Sequence, residues 1–232
     1  MHVSSTIPAC FVLIHRNRYP LYYFLYLLLG SLTRSETLLS AAAVQFSRGE
    51  ISAAAKVIET SLMENPQDAI SLRLVQSCYM ATGDSKNPLN CMARCMHTFD
   101  ESYHLHGHML GMLCAGYLEN GLYTEADQVG SRAVERTRGR DVWAMHSLLN
   151  TYQIAGRASA GVNILEAHLS KNICTGQQLL LFNQGCLLVH HGNYLGAARA
   201  ADVLIASLQH SHSIFVSSFT TAAFLFWLSR LD

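Results

Sequence analysis

The chain reads as an all-α protein, a right-handed superhelical solenoid of about five helix-turn-helix units. Two observations predict it. Five glycines, Gly49, Gly83, Gly121, Gly156 and Gly192, each close a helical stretch, at successive steps of 34, 38, 35 and 36 residues. Small residues also recur at matching offsets around them. Self-similarity at a fixed period is the primary sign of a repeat architecture. A unit of this size cannot bury its apolar face alone, so it stacks on its neighbours. A non-repetitive helical bundle would need the glycines to fall at one interval by chance.

Taken in order, the first unit runs from Ser35, with Ala42, Gly49, Ala54 and Ser61 in the small-residue slots and Pro66 after its second helix. The second has Tyr79 and Gly83, and Pro88 is expected to break its second helix near the start. The third, from Gly107, has Cys114, Tyr117, Gly121, Tyr123, Ala126 and Ala133. The fourth has Tyr152, Gly156 and Gly161. The fifth, from Gln178, has Gly185, Leu188, Gly192, Tyr194 and Ala197. Small residues let paired helices approach closely, and the glycine supplies a left-handed C-terminal cap. Units of this pattern, about 34 residues long, resemble the tetratricopeptide repeat. Such scaffolds mostly bind rather than catalyse.

The two ends depart from the pattern. We divide the chain into an apolar N-terminal segment, residues 1–34, a repeat domain, residues 35–209, and an apolar tail, residues 210–232. Leu21 to Leu32 reads LYYFLYLLLGSL behind Arg16 and Arg18, like a short signal-type core with a basic flank. It is shorter than the about 20 residues needed to span a bilayer, and Pro20 sits at its edge. Ile214 to Leu228 is likewise short and aromatic-rich. A packed terminal helix is the favoured reading of these ends, ahead of a membrane anchor or a mis-assigned coding boundary.

Sixteen basic and sixteen acidic residues give a formal net charge of zero, which leaves no electrostatic footprint for nucleic acid. The one basic cluster, Arg132, Arg136, Arg138 and Arg140, alternates with Glu135 and ends in Asp141, and reads as a solvated helix face. Seven scattered cysteines form neither a disulfide framework nor a zinc pattern. Cys78, Cys114 and Cys186 fall in first helices as small hydrophobes. A reducing, cytoplasmic setting follows.

The run from Gly111 to Arg157 carries a more specific likeness. Gly116, Glu119, Gly121 and Tyr123 precede an Asp-x-Trp-Ala-x-His block formed by Asp141, Trp143, Ala144 and His146. With Phe46, Gly49, Pro66, Asp68 and Ala69 upstream, the chain resembles the tetratricopeptide repeat protein 38 family over roughly residues 38 to 205. The resemblance implies no established enzymatic activity. It also implies histidines at two places where this chain has Asn150 and Asn183. Asparagine is a poor zinc ligand and does not titrate near neutrality, which weakens any catalytic reading.

The sharpest local cluster is His104, His106 and His108, with Asp100 and Ser102 as capping residues before it. A helix through His104 and His108 would put both imidazoles on one face. With His146 they make the alternative reading, a metal-dependent enzyme or metal-binding protein. His190 and His191 precede the Gly192 cap, where cations suit the helix macrodipole. There is no G-x-S-x-G elbow, phosphate-cradling glycine loop or H-E-x-x-H motif. The expected function is therefore non-enzymatic protein interaction without a cofactor. A protein or peptide would lie in a groove lined by His108, Met112, Trp143, His146, Asn150, Asn183 and Leu187, all in first helices.

Overall fold

A computed structural model describes residues 33–169 and 177–209. Among them are ten α-helices paired into five hairpins, with no strand. The chain divides into two compact units at Tyr103 and His104. The apolar segments around Leu21–Leu32 and Ile214–Leu228 lie outside the described residues.

The first unit holds two hairpins. α1 (Arg34–Ser47) opens on a capping box, in which the Thr33 hydroxyl accepts from Glu36 N and the Glu36 carboxylate accepts from Thr33 N. α2 (Ile51–Glu64) folds back on α1, with Ala42, Ala43, Ala54 and Ala55 buried. α3 (Ala69–Ala81) packs on α2 and is capped by Asp68, whose Oδ1 accepts from Ile70 N and Ser71 N. Leu72 and Val75 of α3 join Ile58 and Leu62 of α2 among the buried residues.

α4 (Lys86–Met96) corrects the expectation at Pro88, because the helix runs through it without a break. Pro88 is the third helical residue. The first turn has no intrahelical partners for its N–H groups, so the missing donor costs nothing there.

The second unit holds three hairpins. α5 (His106–Glu119) pairs with α6 (Tyr123–Thr137), α7 (Val142–Ile154) with α8 (Ala158–Leu169), and α9 (Gln177–His190) with α10 (Tyr194–Gln209). α7 also packs on α5, α6 and α9, which makes it the central helix of this unit. Close crossings depend on glycine. A Cβ built on Gly130 of α6 would lie 2.7 Å from Cys114 Sγ on α5, and one on Gly161 of α8 would lie 2.9 Å from Leu187 Cδ2 on α9. The core around α7 gathers Met145, Leu149, Val162, Leu165, Leu180 and Leu187.

The turn from α6 to α7 is tight. Arg138 and Gly139 both take the left-handed conformation, at φ 52° and 71°. The imidazole of His168, on α8 and 7 % exposed, lies against Gly139, with Cε1 2.6 Å from where a Cβ would sit. Arg132, Arg136, Arg138 and Arg140 are all exposed, as the charge pattern predicts.

Candidate partner-binding face

The α7 helix is positioned by its first residue. Asp141 Oδ1 accepts from Trp143 N at 3.0 Å and Ala144 N at 3.2 Å, which makes Asp141 the N-cap. Its second oxygen, Oδ2, meets Nδ1 of His108 on α5 at 2.9 Å. One carboxylate therefore starts α7 and ties it to the preceding first helix. The first unit repeats the device. Asp68 caps α3 while its Oδ2 accepts from Ser35 Oγ on α1, again 33 residues earlier. Removing the whole side chain in Asp141→Ala should lower stability by about 1–2 kcal/mol, since the cap is lost and His108 is left without its partner. Asp141→Asn keeps the capping oxygen and should cost a few tenths at most. Urea unfolding of the two variants checks this ordering.

Trp143 stands in the first turn of α7 with 43 % of its surface exposed. Its ring meets the imidazole of His146 edge-on, with centroids 6.3 Å apart. His146 is half-buried and joined to two amides. Its Nδ1 lies 2.7 Å from Asn183 Oδ1 on α9, and its Nε2 lies 3.2 Å from Asn150 Nδ2 on α7. Asn183 Nδ2 in turn donates to Asn150 Oδ1 at 2.8 Å. Asn183 is fully buried and is held by these contacts. The two asparagines that stand where the resemblance expects histidines thus meet at one point.

The remaining expected face residues sit elsewhere. Leu187 is 0 % exposed and packs against Gly161, and Met112 is 5 % exposed. Both belong to the core rather than to an open face, because α5 and α9 are apolar round most of their circumference and are covered on several sides. His108, Trp143, His146 and Asn150 are the residues of the expected set that reach the surface.

The histidine cluster does not assemble. Asp100 Oδ1 accepts from Ser102 N and Tyr103 N, which holds that stretch in a turn, and α5 begins only at His106. Asp100 and Ser102 therefore cap a turn and not the helix, and His104 lies outside the helix that was to align it with His108. His106 is buried, His108 is bonded to Asp141, and His146 is bonded to amides. Among the described residues no three His, Cys, Asp or Glu side chains converge on a metal position.

At the far end of α9, His190 Nε2 lies 3.2 Å from Gln153 Nε2, and His191 Nδ1 lies 3.0 Å from Ser159 Oγ. His190 thus links the fourth and fifth repeats through a side-chain contact.

The five described cysteines are free and buried. Burial pushes the thiol of Cys78 up to about 11 and those of Cys114 and Cys186 up to about 12, so they stay protonated and act as apolar filling. Cys91 and Cys95 share one face of α4. The Cys91 thiol donates to Cys95, which brings Cys95 down to about 7 and drives Cys91 upward. Both are 1 % exposed, so neither meets solvent.

No family model matches the chain. Solved structures do resemble it. A kinesin light chain-like protein of Podosopora anserina with nearly identical TPR-like repeats superposes with a TM-score of 0.59, at 15% identity, over 78% of this chain and 98% of that one. The MamA protein superposes with a TM-score of 0.55, at 12% identity, over 75% of this chain and 92% of that one. These likenesses establish the helical-repeat fold.

Proposed function

We propose that this tetratricopeptide-like helical-repeat chain is a non-enzymatic scaffold that holds a protein or peptide partner on the face formed by the first helices of its second unit. The carrying observation is Trp143. A large aromatic in a first turn is left 43 % exposed, fixed from below by the Asp141 cap and from the side by His146. Exposed, pre-oriented tryptophan is the residue type most enriched at binding hot spots. His108 and Asn150, which also reach the surface, offer imidazole and amide groups, which suits backbone and side-chain hydrogen bonding more than an ionic clamp.

Trp143→Ala is expected to weaken the partner by about 10- to 50-fold, the effect of losing a hot spot of about 2 kcal/mol. The measurement is the affinity of wild type and variant for each protein recovered with the purified chain, with circular dichroism as the control on folding. Unchanged affinity for every recovered partner, with the fold intact, would overturn the reading.

The finer assignments belong to the same proposal. We place the repeat domain at residues 35–209 and favour the tetratricopeptide repeat protein 38 family on the Asp141-x-Trp143-Ala144-x-His146 block. A cytoplasmic location is supported by the free, buried thiols. Among the described residues no helix is long and apolar enough to cross a membrane.

A further inference from the structure

We propose that the partner held beside Trp143 is an acidic protein segment, whose carboxylates are received by Arg138 and Arg140 in the turn between α6 and α7. This rests on the scaffold reading above and names the chemistry of the partner. The imidazole and amide groups of the face serve the backbone of that segment, and the two exposed arginines stand at the edge of the face.

Backbone bonds fix the turn. Arg138 N donates to Glu135 O at 3.0 Å, Gly139 N to Val134 O at 2.8 Å, and Arg140 N to Thr137 O at 3.0 Å. Gly139 is buried against the His168 imidazole, so the arginines on either side of it leave from a rigid corner. Arg138 is the one non-glycine residue at positive φ among the described residues. Glycine or asparagine takes the left-handed conformation more readily, because the Cβ of other residues crowds the following carbonyl. An arginine held in a strained conformation points to a role outside the fold. Its effect here is to present a long cation from a fixed place.

Neither guanidinium is committed within the chain. Arg34, Arg94 and Arg157 pair with Glu64, Glu59 and Asp127, whereas among the described residues no carboxylate pairs with Arg138 or Arg140. The acidic residues nearest to them in sequence do not neutralise them. Asp141 is buried, with one oxygen on the N–H groups of α7 and the other on His108. Glu135 is exposed, one carboxylate among the exposed Arg132, Arg136, Arg138 and Arg140. In a chain of zero formal net charge, this stretch is a local surplus of positive surface. A surplus of that kind beside an aromatic anchor steers and orients a partner of opposite charge.

Reach and geometry agree with this. Arg138 stands five residues before Trp143, which is no more than about 18 Å of chain. A segment of about six extended residues therefore touches the turn and the indole together. Arginine suits carboxylates in particular, since its planar fork donates to both oxygens at once.

Selection of a phage-displayed library of random dodecapeptides on the full chain tests the inference. Peptides that bind wild type and lose binding to folded Trp143→Ala should be enriched in Asp and Glu. One of them, made synthetically, should bind the double variant Arg138→Asn, Arg140→Ser about 5- to 10-fold more weakly than wild type. That difference should shrink as salt rises. The Tm of the double variant should not fall, because asparagine suits the left-handed position, and this separates a binding role from a structural one. Arg140→Glu leaves the left-handed residue untouched and should reject the same peptide, which supplies a second reading. Trp143-dependent peptides without acidic enrichment, or acidic ones that bind the arginine variants as tightly as wild type, would overturn the acidic partner and leave the scaffold reading standing. Recovery of no Trp143-dependent peptide would overturn both.

Discussion

Leu149→Ala is expected to remove about 3–4 kcal/mol of stability, lowering Tm by roughly 10 °C in a chain of this size. Leu149 is 0 % exposed on α7, the helix on which α5, α6, α8 and α9 all pack. Its neighbours in the core come from three helices: Met145 from α7 itself, Val162 and Leu165 from α8, Leu180 and Leu187 from α9. The deleted atoms lose their transfer energy, and a cavity bounded by several helices collapses only in part. Leu149→Met conserves volume and should cost less than about 1.5 kcal/mol. Urea unfolding of both variants measures the pair. A loss below about 1 kcal/mol for alanine would mean that the surrounding helices close the gap.

Gly139→Ala carries two penalties of the same sign and should cost about 3 kcal/mol. A side chain at φ 71° costs about 1 kcal/mol or more. The added Cβ would lie 2.6 Å from Cε1 and Nδ1 of the buried His168 ring, an overlap of the kind that costs about 1–3 kcal/mol. The entropy that alanine removes from the unfolded chain offsets at most about 1 kcal/mol. Gly192→Ala separates the terms, since it sits at φ 80° with nothing within 4 Å of its Cβ. It should show the backbone strain alone. Thermal unfolding of the two variants should therefore place Gly139→Ala well below Gly192→Ala, and equal shifts would remove His168 from the account.

The architecture was legible because the signals that make it are local. The periodic glycines occupy left-handed positions, where the backbone itself selects them, so their spacing survives in the sequence. The small residues Ala42, Ala54, Cys114, Ala126 and Ala133 mark helix crossings and are all fully buried. The Asp141 cap was equally readable, since a cap is a contact over two or three residues. Pro88 misled because its effect depends on the turn it occupies, and the helix start at Lys86 was not marked.

The face was harder to read. Met112 and Leu187 lie on helices that are apolar on most sides, so periodicity does not tell an open face from a covered one. The hydrogen-bonded group at His146 was visible only as two unexplained asparagines. Its members are 33 and 37 residues apart across two helices, and only the stacking of α9 on α7 brings them together. His104 left the helix because Asp100 satisfied the backbone in a turn first, a competition that the spacing of histidines does not register.

The carboxylate of Asp141 has a consequence for how neighbouring repeats come apart. Because the same side chain starts α7 and grips His108 of α5, fraying at one helix end is felt by the hairpin before it. Asp68 couples α3 to Ser35 of α1 in the same way. Repeats joined through their own capping atoms cannot peel off one by one without exposing a helix start. The two hairpins joined in this way within each unit should therefore melt in concert, as a single cooperative block rather than as independent pieces.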